Sequence, residues 1–225
     1  MKLTYYGHSV FVIEANNFIG IVDPFIKGNS SCGQSTEDIP KLTHIFVTHG
    51  HEDHLGDTVE LAKRDDALVV CNAEIGRYLA NQGVKVHTMH IGGRTKFNFG
   101  RIKMTPALHG SGIQIGDKTY DGGNPGGFIF YLKNKIIYHA GDTGLSMEMK
   151  LLAEENIDIA LLPIGGNYTM DIDDAIKAVD FIKPKITIPM HYNTFDAIKA
   201  DVNEFKERVK NTEVKIINFG DSIEI

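Results

Sequence analysis

The order of apolar runs predicts a layered α/β (α+β) fold with sheets buried under helices. Three observations carry the prediction. Short β-rich runs crowd the start of the chain, later runs alternate with helix-patterned segments, and Gly and Pro punctuate the boundaries. The 225 residues contain no low-complexity stretch or Pro-rich linker, so residues 1–225 read as a single domain. A hydrophobic fraction of 42% and a charged fraction of 23% are those of an ordinary globular chain, which excludes disorder and collagen-like repeats.

The elements follow in order. Lys2–Tyr6, Ser9–Glu14 and Phe18–Val22 are closely spaced β-rich runs, the pattern of an antiparallel meander. His44–Val47 is a short apolar strand that feeds a polar loop, Thr48–Gly56, and a helix is expected from Asp57 to Lys63. Leu68–Cys71 reads as a buried strand and Glu74–Gln82 as a helix stopped by Gly83. Strands follow at Lys85–Met89, Arg101–Pro106, Gly127–Leu132 and Lys135–His139. Then come a helix at Met147–Glu155 and a strand at Ile157–Leu162. Asp171 can cap a helix whose apolar face is Ile172, Ile176, Val179 and Ile182, with Pro184 beyond its end. Ile186–Pro189 is a strand, Ala197–Val209 an amphipathic helix and Val214–Asn218 a last strand.

The formal net charge of −6 argues against a broad nucleic-acid surface, since phosphate binding needs basic patches. The start of the chain lacks a signal-peptide pattern and no run is long enough for a membrane span, so a cytoplasmic location is expected. Cys32 and Cys71 form no paired motif and read as reduced thiols.

Ten histidines are the informative excess. The run Thr48-His49-Gly50-His51-Glu52-Asp53-His54 puts three imidazoles and the Asp53 carboxylate within six residues, a donor set suited to zinc and other divalent first-row metals. His49 and His51 lie two apart just past a strand, where alternate side chains share a face. Asp53 and His54 are adjacent and tend to diverge, so the run can serve two ions. Further ligands are expected at the ends of other apolar runs, at His109, Asp142 and His191.

Together these motifs resemble the metallo-β-lactamase superfamily, whose mark is His-x-His-x-Asp-His followed by a spaced His, Asp and His. More narrowly, Gly7-His8-Ser9, Thr48–Asp57, Leu162–Gly166 with Tyr168-Thr169-Met170, and Pro189–Phe195 resemble the UPF0173 group of metal-dependent hydrolases, related to the ascorbate-6-phosphate lactonase branch. The resemblance implies a four-layer αββα sandwich. It also implies a first metal on His49, His51 and His109, a second on Asp53, His54 and His191, and Asp142 bridging them. Thr43 departs from the pattern, because related sequences often carry an acid there that supports the ligands.

The expected chemistry is hydrolysis of a small ester, lactone, thioester or phosphoester. Two divalent ions about 3.5–4 Å apart, most simply Zn²⁺ but also Mn²⁺, Fe²⁺ or Ni²⁺, can bridge a water and make it hydroxide near neutral pH. Asp53 is the candidate to orient that water or take its proton. His8 and His139 are candidate substrate contacts with equally good structural readings. Gly165 and Gly166 can cradle an anion or form a simple turn. His44, His87 and His90 read as structural or surface residues. The Gly-rich stretch Gly110–Gly127 is either a flap over the metals or a plain hairpin. A nuclease or phosphodiesterase is the alternative enzyme and a metal-binding sensor the alternative class. Relatives of this kind self-associate, so a homo-oligomer is compatible with the reading.

Overall fold

The computed structural model describes all residues, Met1–Ile225. Two seven-stranded sheets pack face to face, and they close where the polar loops gather. The first sheet begins with the expected meander: β1 (Lys2–Tyr5), β2 (Phe11–Ala15) and β3 (Phe18–Val22) are antiparallel neighbours. Three parallel strands extend it, β4 (His44–Phe46), β5 (Leu68–Asn72) and β6 (Val86–Met89). The connections between them run through helices α1 (Glu52–Leu55), α2 (Thr58–Asp65) and α3 (Ala73–Asn81).

β7 (Arg94–Phe97) and β8 (Gly100–Pro106) form a hairpin at one edge of the second sheet. β9 (Gly112–Ile115) and β10 (Lys118–Asp121) make a separate two-stranded ribbon. The Gly110–Gly127 stretch is therefore largely a hairpin. β11 (Gly126–Tyr131) and β12 (Ile136–His139) continue the second sheet antiparallel. β13 (Ile159–Pro163), β14 (Ile186–Met190) and β15 (Glu213–Val214) add to β12 in parallel. Two helices lie between these strands, α4 (Ile172–Ile182) and α5 (Val202–Arg208), and β16 (Ser222–Glu224) returns to pair with β1.

The layers follow from strand alternation. Leu3, Tyr5, Phe11, Ile13, Phe46 and Val70 of the first sheet meet Ile102, Met104, Phe128 and Phe130 of the second in one buried core. The opposite faces of the first sheet's strands, with Val12, Ile21, Ile45 and Val69, bury Leu61 of α2 and Ile75 and Leu79 of α3. Ala175, Ala178, Val179 and Ile182 of α4 cover the second sheet from outside. This is the αββα sandwich.

Several elements differ from expectation for physical reasons. The Thr48–Gly56 loop contains the one-turn helix α1, too short to show periodicity. Met147–Glu155 is helical but of the 3₁₀ type. Ala197–Val209 splits into a 3₁₀ turn at Asp196–Ile198 and α5, because the Asp201 side chain caps α5 by accepting from Asn203 N and Glu204 N. The last expected strand shrinks to β15. β7 and β16 escaped the pattern because both are short and largely solvent-facing, where apolar alternation is weak.

Candidate metal centre

Every expected ligand lies just past the C-terminal end of a strand: His49 to His54 after β4, His109 after β8, Asp142 after β12 and His191 after β14. These strand ends share one edge of the sandwich. The two sheets are tied there by backbone bonds from His191 N to His8 O at 2.7 Å and from Gly126 N to Thr48 O at 3.1 Å. Gly141 adopts a φ of +64° and packs against the Gly126 carbonyl so closely that a Cβ would collide with it. That tight bend turns the chain so that Asp142 enters the cluster. His8, Asp23 and His191 also have positive φ, at 54°, 48° and 54°. Left-handed backbone at three non-glycine residues is strain held by the surrounding structure, a pattern common at functional sites.

The side chains converge in two triads. His49, His51 and His109 bring three imidazoles together, with His49 Nε2 and His51 Nδ1 3.0 Å apart. Asp53, His54 and His191 form the second triad, beside His8. Between them stands one oxygen, Asp142 Oδ2, at 2.9 Å from His191 Nε2, 3.3 Å from His54 Nε2 and 3.6 Å from His109 Nε2. Two ligands on one zinc ion, each about 2.0–2.1 Å from it in tetrahedral geometry, stand roughly 3.3–3.4 Å apart. The spacing suits shared cations. His54 Nε2 and Asp142 Oδ1 are buried without a hydrogen-bond partner, an expensive arrangement for polar atoms unless an ion satisfies them. The donor set thus fits divalent metal.

The ionisation pattern agrees. Burial and the neighbouring His54 charge push the His49 imidazole well below its usual range, so it presents a neutral lone pair. Burial likewise lowers His51 and His109. Burial alone would lower His54, but Asp142 and Asp23 on either side outweigh it and raise it well above the usual value. Without metal His54 keeps a proton, which a cation at Nε2 must displace. Burial would raise Asp142, yet His191 and His54 hold it well below the usual carboxylate range.

The supporting groups are largely ones that the sequence did not single out. Asp23, at the end of β3 and fully buried, accepts from Thr48 N at 2.8 Å, from the Thr48 hydroxyl at 2.7 Å and from His54 Nδ1 at 2.8 Å. The Thr48 hydroxyl in turn accepts from His49 Nδ1 at 3.0 Å. One carboxylate therefore fixes the tautomers of a histidine in each triad. The Thr43 hydroxyl, where an acid was missing, bonds only Ile19 and its neighbour His44; the supporting acid comes from Asp23 instead. The available signal was an acid directly after an apolar strand run, the same placement that marked His109 and Asp142.

The four tentative substrate contacts fare differently. His139 is fully buried, donating from Nε2 to Ser9 O at 2.9 Å and accepting Gly141 N at Nδ1 at 3.1 Å. Both ring nitrogens are used, so the substrate role is corrected to a structural one. His8 is also fully buried and touches no open space. Burial pushes its pKa down to about 4, so the neutral ring donates from Nε2 to Asp53 Oδ2 at 3.1 Å and accepts the Thr194 hydroxyl at Nδ1 at 3.2 Å. It positions Asp53 rather than contacting substrate. Gly165 and Gly166 lie on the turn that follows β13. Gly165 is buried against the His191 carbonyl and Ile198, where a Cβ would clash, and the Gly166 N–H is spent on Met170 O. Of the structural histidines, His44 lies in an aromatic cluster with Phe18, Phe97 and Phe99, and His87 packs on Phe97. His90 is exposed.

The comparison with known proteins decides the family. Residues 20–192 match the beta-lactamase superfamily domain. The chain belongs to the metallo-β-lactamase superfamily. It is a metal-dependent hydrolase of that superfamily and falls in the UPF0173 group. It is 53% identical over 218 residues to a UPF0173 metal-dependent hydrolase of Alkaliphilus metalliredigens, covering 97% of each chain. It is 46% identical over 226 residues to a UPF0173 metal-dependent hydrolase of Bacillus cereus, covering 99% of each. Among solved structures it resembles Igni18, a metallo hydrolase from the archaeon Ignicoccus hospitalis, with a TM-score of 0.91, 39% identity, and 99% and 97% of the two chains covered. No helix of this UPF0173 hydrolase is long and apolar enough to cross a membrane.

Proposed function

We propose that this hydrolase cleaves a small molecule, at an ester, lactone, thioester or phosphoester bond, using two divalent cations, with zinc the best match to the donors. The observation that carries the reading is Asp142 Oδ2 standing within 2.9–3.6 Å of imidazoles from both triads, with His54 Nε2 and Asp142 Oδ1 buried beside it without hydrogen-bond partners. His49, His51 and His109 would hold one cation and Asp53, His54 and His191 the other, with Asp142 shared between them. Bound there, the metals would supply Lewis acidity and an activated water.

The remaining work falls to the chain's own residues. Asp23 orients His54 and, through Thr48, His49, so that both present lone pairs inward. Asp53 lines the open cavity and is fixed from behind by His8. Burial would raise the Asp53 carboxyl, but the His8 hydrogen bond and the nearby imidazoles hold it below its ordinary value. It is thus an ionised acceptor that orients the attacking water rather than a strong base. The cavity measures about 200 Å³, room for a small substrate rather than a nucleic-acid strand. The net charge of −6 also disfavours nucleic acid, and a cytoplasmic setting suits two free thiols. The test is turnover of a lactone, thioester, phosphodiester and phosphomonoester panel by metal-free and zinc-loaded protein. Zinc-dependent turnover of at least one is expected; equal rates with and without metal would remove the reading.

A further inference from the structure

Six side chains line the cavity at the metal centre, and five of them are His51, Asp53, His109, Asp142 and His191. The sixth, Tyr168, is the one group free to read a substrate without holding metal. It is 59% exposed, so packing of the folded chain does not account for its place. The turn that presents it is braced. Gly166 and Asn167 both take positive φ, Tyr168 N donates to Gly166 O at 2.6 Å, and Met170 N donates to Thr143 O beside Asp142. Two other exposed apolar side chains stand on loops that carry site residues. Leu108 adjoins His109, and the Phe195 ring lies 5.4 Å from that of His8. Single exposed apolar residues are ordinary, but Tyr168 lines the cavity and Leu108 and Phe195 stand on loops that carry site residues.

Charge narrows the choice of ligand. The segments bearing the site, residues 7–10, 48–57, 106–112, 140–147, 163–171 and 190–198, contain no Lys or Arg. Their exposed charged residues, Glu52, Asp171 and Asp196, are all acidic. Lys27 and Lys199, in neighbouring sequence, are paired with Glu60 and Asp196. A phosphate or carboxylate held away from the reacting bond would find no Lys or Arg among the side chains that line the cavity.

We infer that the substrate is an uncharged ester or thioester whose apolar alkyl or aryl substituent lies on Tyr168, with Leu108 and Phe195 extending that surface, and that Tyr168 sets specificity. The inference rests on the hydrolytic reading of the same site. Water adds to the carbonyl carbon and the C–O or C–S bond breaks. The leaving group departs as an alcohol or thiol carrying one of the water's protons, and the acid is formed.

The test uses zinc-loaded protein with 4-nitrophenyl acetate, butyrate and octanoate, 4-nitrophenyl phosphate and bis(4-nitrophenyl) phosphate. In parallel, calorimetric binding of butyrophenone, a neutral ketone that is not hydrolysed, is measured. The butyrate ester should exceed both phosphates in kcat/KM by about 100-fold. Tyr168→Ala should raise KM for butyrate and Kd for butyrophenone about tenfold, equivalent to about 1.4 kcal/mol, with kcat within about twofold and acetate little changed. Phosphates turned over as well as butyrate, or a Tyr168→Ala variant with unaltered KM and Kd, would overturn the inference while leaving hydrolysis intact. If no compound is turned over, the calorimetry still decides. Butyrophenone binding weakened by Tyr168→Ala upholds the apolar contact, and no binding by the wild type overturns it.

Discussion

Replacing Asp23 by Asn keeps shape and volume but changes what the group offers. The carboxylate accepts three hydrogen bonds of 2.7–2.8 Å from Thr48 N, the Thr48 hydroxyl and His54 Nδ1, with no exposed surface. An amide has one acceptor oxygen. With that oxygen facing Thr48 N, its NH₂ meets His54 Nδ1–H, donor against donor; with the amide flipped, it meets Thr48 N–H. His54 escapes the conflict by giving up its Nδ1 proton and keeping the one on Nε2, the nitrogen that faces Asp142. That tautomer cannot bind metal. Losing a charge-assisted bond of about 1.5–3 kcal/mol is commensurate with the 10- to 100-fold drop in metal affinity, about 1.4–2.7 kcal/mol, typical of such supporting groups. The assay is zinc titration against a competing chelator, with thermal unfolding of the metal-free protein alongside. Asp23→Asn should bind at least one zinc 10- to 100-fold more weakly, and its melting temperature should rise less on zinc addition than that of the wild type. Both zinc affinities within about twofold of wild type would refute the argument that Asp23 governs the His54 tautomer.

Other outcomes follow from the same structure. His139→Ala leaves Ser9 O and Gly141 N unpaired and opens a void, so urea unfolding should show a loss of about 2–4 kcal/mol with KM unchanged; a raised KM at unchanged stability would restore the substrate role. His8→Ala should lower kcat at full metal loading with little change in KM, because Asp53 loses its fixed orientation, while His8→Asn should recover part of the rate. Burial lowers the His44 pKa to about 4, below its unfolded value near 6.5. The unfolded chain therefore takes up this proton first as pH falls, so the His44 contribution to stability should be lost between about pH 6.5 and 4. His44→Phe should flatten that part of the pH–stability curve of metal-free protein; a curve unchanged by the substitution would contradict it.

The layered fold was legible because its core strands are apolar runs bounded by turns. The meander β1–β3 and the buried strands β5, β11 and β14 appear within a residue or two of their expected places. The solvent-facing strands β7 and β16 carry no such signal. The clustering of the candidate ligands was legible for a related reason: five histidines near the ends of apolar runs do not fit a core. What the sequence did not show is which neighbours hold those ligands. Asp23 acts on His54 across 31 positions of chain, and Thr194 reaches His8 across 186. Both pairings depend on how the two sheets meet, which local pattern does not encode. His139 misled for the opposite reason. It sits on the run leading to Asp142, but strand alternation turns its ring into the core against Ser9.

The account centres on two triads sharing Asp142, and the metal count per chain tests this most directly. Elemental analysis of zinc-saturated protein should give about two equivalents for the wild type and about one each for His51→Ala and His191→Ala. One equivalent or fewer in the saturated wild type, or two equivalents surviving in either variant, would contradict the account.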